Sequence, residues 1–524
     1  MQTPAVQQVG WRELNRAAHA KRRKLLTLAG LLALLAGVAG AGLVGYRWWR
    51  NRPADAAAVT PEADAEVNSP AAAWWQQQPA PFNGATPLQS DVFYVSPRGS
   101  DTNSGRENSP WRTVQKAIER LRPGQTLFLR AGLYREYLDI RVSGAPQRPI
   151  TIAGYPGEKA TLDGTGLNWR YGIEMHGAVA HLVIQNLTLR NYKADGFGIV
   201  GWDKTDNITL RDLNIYKVGT PVKFAAAGDK KLVRAGILVE NLNAADYTYA
   251  GLDFGPGAVS DVTIRNVRLQ GQVGGNETAI DGIAVEAGAR VFIENAKVIG
   301  HPGDGIDLKA DNATVRRCEV REFGRNGLKL WGTNSAAENN LVASTVSPHT
   351  ILALAGDGPY YLRNNLFRGG PGHSYLATLG PDKLPKTGKT PVTLQGNIFY
   401  SPDNDGTLLV FSKFAYLTAD SGYNIYFVPR RLDRVMEIGD GTPSGRIFTA
   451  DHINQGHWAA ALKADGRSRF IDPQLADPDN GNYEPQPRSP AVDVLPAALS
   501  PAMDLPGRRR PAGARSDIGP FEKQ

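Results

Sequence analysis

The chain has a single cysteine, Cys318, so it can form no internal disulfide and no zinc site built on thiolates. Its eight histidines, His301, His349 and His373 among them, show no His-x-x-x-His spacing, which argues against an imidazole zinc site. The body also lacks net charge. Nine of the 59 basic residues and one of the 51 acidic ones fall within residues 1–52, leaving 50 of each sign in the other 472 residues. The overall charge of +8 is therefore a property of the N-terminus, and a basic groove for DNA or RNA has no support; no nucleic-acid partner is expected.

What the basic cluster flanks is the uncharged run Leu25–Tyr46, long enough to cross about 30 Å of hydrocarbon as a helix. Basic residues crowd its N-terminal side, so residues 1–24 read as a cytoplasmic tail, 25–46 as a transmembrane signal anchor, and all that follows as extracytoplasmic, in the periplasm or at the cell surface. A cleaved leader ending near Ala39-Gly40-Ala41 is the other reading of this run. Export without disulfides fits a bacterial envelope protein. Residues 47–90, rich in Pro, Ala and Gln, read as a flexible linker.

From about residue 170 one short phrase keeps returning, as in Leu182-Val-Ile-Gln-Asn186, Ile208-Thr-Leu-Arg-Asp212 and Val262-Thr-Ile-Arg-Asn266. The closing residues recur at spacings of 26, 29, 25, 29, 22, 22, 25 and 32, one solenoid coil per repeat. Asn suits the corner that ends each phrase, because it tolerates the left-handed conformation and can stack its amide on the next coil. The predicted fold is all-β, a right-handed parallel β-helix of about 9–11 coils over residues 91–425, closed by 426–524. A helix over 113–121 would cover its open first coil. The segment 92–165, with Val92-Phe-Tyr-Val-Ser-Pro-Arg-Gly-Ser-Asp101 and Gly132-Leu-Tyr-Arg-Glu136, resembles the N-terminal cap of the pectate-lyase-like β-helix family.

A second set of strands can be stacked by their glycines: Gly172-Ile-Glu174, Gly196-Phe-Gly198, Gly251-Leu-Asp253, Gly282-Ile-Ala284, Gly305-Ile-Asp307 and Gly327-Leu-Lys329. The residue after each glycine points inward and the third outward. The outward face then gathers Asp281, Glu286, Asp304 and Asp307 beside Lys309 and Lys329. Carboxylate oxygens at that density suit calcium. A bound calcium would neutralise a uronate carboxylate, acidify the adjacent sugar proton and make a neighbouring lysine easier to deprotonate, which is the logic of β-elimination.

Asp304-Gly-Ile-Asp307, with Lys329 one coil later, resembles the calcium-dependent pectate lyases that use a lysine base. That resemblance implies Asp281, Asp304 and Asp307 as metal ligands and Lys329 as base, although Gly303 stands where those enzymes commonly carry a second acid. Lys309, Arg316 and Gly332 resemble the pattern of alginate and chondroitin lyases, which makes Lys309 the reserve base; Leu330-Trp331 replaces their Arg-His pair. Asp253, Glu286, Arg316 and Trp331 are the candidate substrate-binding residues, and Tyr247, Tyr249, Trp202 and Tyr375 further candidate sugar platforms. The expectation is a monomeric, membrane-anchored protein that binds or cleaves an extended anionic polysaccharide, as a calcium-assisted lyase. A non-catalytic envelope rod or glycan-binding module, with Asp307 and Lys329 an ordinary cross-strand ion pair, is the alternative.

Overall fold

The computed structural model describes residues 91–225, 233–271, 281–346, 349–373, 375–381, 388–439 and 445–524. The expected tail, membrane span and linker (1–24, 25–46 and 47–90) lie outside the described residues. Among the described residues no helix is long and apolar enough to cross a membrane.

The coils turn at the corners that their closing residues suggest. Asn186, Asn241, Asn266, Asn295, Asn339 and Asn364 all have φ between 51° and 54°, and Asp212 and Arg317 share that left-handed conformation. The amides stack as well: Asn241 Nδ2 donates to Asp212 Oδ1 at 2.8 Å, Asn266 to Asn241 at 3.1 Å and Asn295 to Asn266 at 2.8 Å.

Between corners the chain builds three parallel sheets in a right-handed solenoid of about 11 turns. The first sheet runs Leu138–Ile140, Tyr171–Met175, Phe197–Trp202, Thr220–Ala225 and Leu252–Phe254. It continues through the N-terminal ends of Ile283–Glu294 and Ile306–Arg316, then Leu328–Leu330, Leu352–Leu354, Tyr375–Leu379, Thr407–Phe411 and Met436–Ile438. Its inward row, from Ile173, Ile199 and Val222 through Leu252, Ile283, Ile306 and Leu328 to Leu352, is fully buried. Stacking β-branched and leucine side chains in register removes a continuous apolar column from water, the main favourable contribution to a solenoid that cannot bury a face within one coil.

The second sheet carries an alternation of charge at one outward position: Arg211, Glu240, Arg265, Glu294, Arg316, Glu338 and Arg363 follow one another in register. Arg211 Nε lies 2.7 Å from Glu240 and Arg316 Nε 2.7 Å from Glu294. Opposite charges on neighbouring coils favour this register over a slipped one, since a shift by one coil would oppose like charges.

The ends are closed. The helix Val114–Ile118, within the expected span, lays Val114, Ala117 and Ile118 on the first coil. Its N-terminal amides are met by carboxylates: Asp101 Oδ1 accepts from Thr113 N at 2.8 Å, and Glu136 accepts from Val114 N and Gln115 N, each at 3.1 Å. At the other end parallel pairing continues beyond residue 425, through Met436–Ile438 and Arg469–Phe470. The helix His457–Leu462 then sets Trp458 against Phe411, with ring centroids 5.6 Å apart. A buried amide ladder, Asn340, Asn365, Asn397 and Asn424, ends on Asp465. The last segment returns along the coils, where Asn339 Nδ2 donates to Met503 O and Asn364 Nδ2 to Asp517 O.

Candidate functional site

The outward face of the first sheet is built by close approach. A Cβ on Gly282 would lie 2.2 Å from Val298 Cγ1, and one on Gly305 would lie 2.3 Å from Val320 Cγ1. Only glycine lets the corner pass there, so the residues flanking each glycine are held in fixed rows.

Three rows result. Ahead of the glycine position stand Tyr171, Phe197, Thr220, Ala250, Asp281, Asp304 and Asn326. Two places after it stand Glu174, Val200, Lys223, Asp253, Ala284, Asp307 and Lys329. Two further on come His176, Trp202, Ala225, Gly255, Glu286, Lys309 and Trp331.

The register brings Asp281, Asp304, Asp307 and Lys329 together. Lys329 Nζ lies 3.1 Å from Asp304 Oδ2 and 2.8 Å from Asp307 Oδ2, and its side chain is 10% exposed. Asp281 Oδ1 accepts from the Asp304 backbone N–H at 2.7 Å, while Asp304 Oδ1 accepts from Asn326 N and Nδ2 at 2.9 and 2.8 Å. Asn326 is in turn oriented by the Thr350 hydroxyl, 2.7 Å from its Oδ1. One oxygen from each of the three aspartates lies within 4.8 Å of the others, and Asp307 Oδ1 is buried without a hydrogen-bond partner. Three converging carboxylates with an unsatisfied buried oxygen fit a hard divalent cation such as calcium.

The charges are strained accordingly. Burial, then the neighbouring Asp304 carboxylate, pushes Asp281 up to about 6. Burial also raises Asp307 above the usual carboxylate range, although Lys329 and Lys309 oppose the shift. Lys309 sits 2.6 Å from Glu286 Oε2 and 3.2 Å from Asp307 Oδ2. Burial disfavours its charged form, but the Glu286 hydrogen bond and the field of Asp307 outweigh that and hold its pKa above the ordinary value. Trp331 is 46% exposed and lies under Lys329, whose Nζ is 4.6 Å from the ring centroid.

Two expected substrate contacts stand apart from this cluster. Asp253 lies on the same face, two coils before Asp307 with Ala284 between, and pairs with Lys223. Arg316 is not part of this face at all. The strand Ile306–Arg316 turns a corner, so Ile306–Leu308 pairs on the first sheet and Thr314–Arg316 on the second, where Arg316 belongs to the charge ladder. Tyr247 is not a sugar platform either: it is buried, with its hydroxyl 2.5 Å from His301 Nε2. His301 lies behind the cluster, and complete burial lowers its pKa to about 3. Two residues were missed. Lys223 belongs to a coil led by Pro221 instead of glycine, so an alignment by glycines skips it. Val200, and not Gly198, pairs with Glu174, because Gly198 itself occupies the glycine position of its coil.

Comparison with known proteins agrees with this architecture. The family described as Pel9A-like, right handed beta helix region matches residues 93–248, and that described as right handed beta helix region matches 197–367. Over residues 93–367 the chain is therefore similar to pectate-lyase-like right-handed β-helix proteins. Among curated proteins it is 34% identical over 138 residues, 25% of this chain, to the uncharacterized protein YwoF of Bacillus subtilis (strain 168). It is 35% identical over 82 residues, 15% of this chain, to pectate lyase PEL9 of Emericella nidulans. The matches span only 30% and 20% of the length of these two relatives. The solved structure of XylC in complex with xylose superposes on this β-helix with a TM-score of 0.54 at 11% identity, covering 83% of this chain and 98% of that one, which shows a shared fold.

Proposed function

We propose that the protein cleaves a uronate-containing polysaccharide by calcium-assisted β-elimination on the first sheet. The observation that carries this reading is the Lys329 ammonium held between Asp304 and Asp307, with Asp281 completing the carboxylate cluster and Asp307 Oδ1 unsatisfied. Asp281, Asp304 and Asp307 would hold the calcium, which when bound supplies positive charge against the substrate carboxylate.

Lys329 and a cation make demands on the same oxygens. Lys329 Nζ, between Asp304 and Asp307, is the group that would take the proton on the sugar carbon next to the carboxylate. The electron pair forms the carbon–carbon double bond as the glycosidic oxygen leaves, and that oxygen takes a proton from water. Lys309, kept charged by Glu286 and Asp307, suits a substrate carboxylate better than proton abstraction. Trp331 offers an exposed aromatic edge beside it. The local likeness to pectate lyase PEL9 supports pectate as the first polymer to try. Residues 25–46 would hold the β-helix outside the cytoplasmic membrane, which fractionation of cells expressing the full chain tests directly.

Incubation with pectate, alginate or glycosaminoglycans, with calcium or chelator, tests the reaction through the ultraviolet absorbance of unsaturated uronate. Calcium-dependent product that disappears in Lys329→Ala and survives in Lys309→Ala is expected. Binding without product on every polymer would favour the non-catalytic glycan-binding module instead.

A further inference from the structure

The same face changes character toward the N-terminal end of the solenoid. The row that holds Asp281 and Asp304 is occupied there by Tyr171 and Phe197, stacked at 5.2 Å, and the row of Lys309 by His176 and Trp202. Trp202 Nε1 donates to Glu174 Oε1 at 2.7 Å, and His176 Nε2 lies 2.9 Å from the same oxygen. Glu174 is therefore a buried, oriented carboxylate whose Oε2 is available to accept from a sugar hydroxyl. Just ahead of the strands Leu138–Ile140 and Tyr171–Met175, Tyr137 and Trp169 stack at 4.3 Å, and each is 39% exposed.

The floor between the two ends is continuous. The intervening coils place Thr220 and Ala250 on one flank, Ala225 and Gly255 on the other, and Lys223 with Asp253 along the middle. Glu174 stands five coils before Asp307, a distance of roughly 24 Å at the usual strand spacing. A glycan advances by close to one coil per sugar, so one extended chain can reach both ends. The two ends suit different sugars: two lysines line the carboxylate cluster, whereas the other end presents aromatic rings around Glu174, with His176 beside it and Asp139 on the preceding coil paired to Arg141.

We propose that Tyr137, Trp169, Tyr171 and Trp202, with Glu174 and His176, hold an uncharged sugar of the same polysaccharide chain about five coils from the carboxylate cluster. The proposal rests on the uronate reading of that cluster and adds to it a preference for long, partly neutralised chains. Aromatic faces take the apolar side of a pyranose ring, and Glu174 fixes its hydroxyls.

The test measures binding by affinity electrophoresis at fixed calcium, using the full chain carrying Lys329→Met so that no polymer is cut. The probes are de-esterified galacturonan, partly methyl-esterified galacturonan and galacturonate trimer, with thermal unfolding as a folding control. The expected result is a preference of about three- to tenfold for the esterified polymer, the size of one good aromatic contact. Trp202→Ala and, separately, Trp169→Ala erase that preference without weakening the trimer. An unchanged preference in both variants, or an equal loss on the trimer, overturns the distal site alone. If the Lys329→Met protein and the unsubstituted chain bind no galacturonan of any kind, the uronate reading falls with it.

Discussion

Replacing Asp281 by Asn should stabilise the protein without calcium and remove most of its stabilisation by calcium. Burial and the adjacent Asp304 raise the Asp281 pKa from 3.8 to about 6. The folded state therefore holds this proton more tightly than the unfolded chain does. At pH 4 and below the group is protonated and costs little. Its contribution is lost as pH rises from about 4 through about 6, and at pH 8 the ionised carboxylate costs on the order of 3 kcal/mol, from roughly two units at 1.36 kcal/mol each. Asn keeps the oxygen that accepts from Asp304 N–H and removes the charge. Denaturant midpoints for both proteins at pH 4 to 8 in chelator should coincide at the acid end and separate by up to about 3 kcal/mol at pH 8, with the variant more stable. The difference between the two curves isolates Asp281 from the other carboxylates. Excess calcium should then stabilise the unsubstituted protein by about 2.7 kcal/mol at a hundredfold excess over its dissociation constant and close most of that gap, while leaving the variant's midpoint nearly unmoved. A variant less stable than the unsubstituted chain at pH 8 in chelator, or a difference that ignores pH, refutes the electrostatic account of the cluster.

Lys329→Met removes the counter-ion of two buried carboxylates, so stability at pH 8 in chelator should drop by about 3–5 kcal/mol, and calcium should restore part of it in the same unfolding assay. Removing calcium from the unsubstituted protein should abolish product formation while far-ultraviolet circular dichroism stays unchanged, because the coils are held by their own core. Arg316→Ala should cost about 1–2 kcal/mol by freeing one side of Glu294 yet leave binding of polymer intact, as measured by affinity electrophoresis. Asn365→Leu strands Asn340 N–H inside the solenoid and takes a side-chain donor from Ala337 O and Asn397 Oδ1, and a loss of about 2–3 kcal/mol should appear in denaturant unfolding.

The recurring phrase and the glycine-led strands were enough to read the solenoid and to align Asp281, Asp304, Asp307 and Lys329. Both signals are local: a corner needs a residue at positive φ, and a tight pass beneath the next coil needs a missing Cβ. Where a coil breaks the local rule, the reading goes astray. Pro221 leads the coil that carries Lys223, and Gly198 rather than Gly196 fills the glycine position in its strand. Arg316 is expected among the substrate contacts through the resemblance to alginate and chondroitin lyases, and nothing in the β-branched alternation of its strand announces the bend that sends it and Lys309 to different sheets.

The sequence by itself determined the period, the corners, the inward column and the identity of the acidic cluster, because each depends on the conformational preference of one residue or on alternation along one strand. Only the tertiary structure decided that Lys329 lies between Asp304 and Asp307, that Asp281 holds its proton up to about pH 6, and that Tyr247 faces His301 and not a sugar. Those facts depend on how unequal coils, 22 to 32 residues long, come into register and on how much water each carboxylate loses when they do.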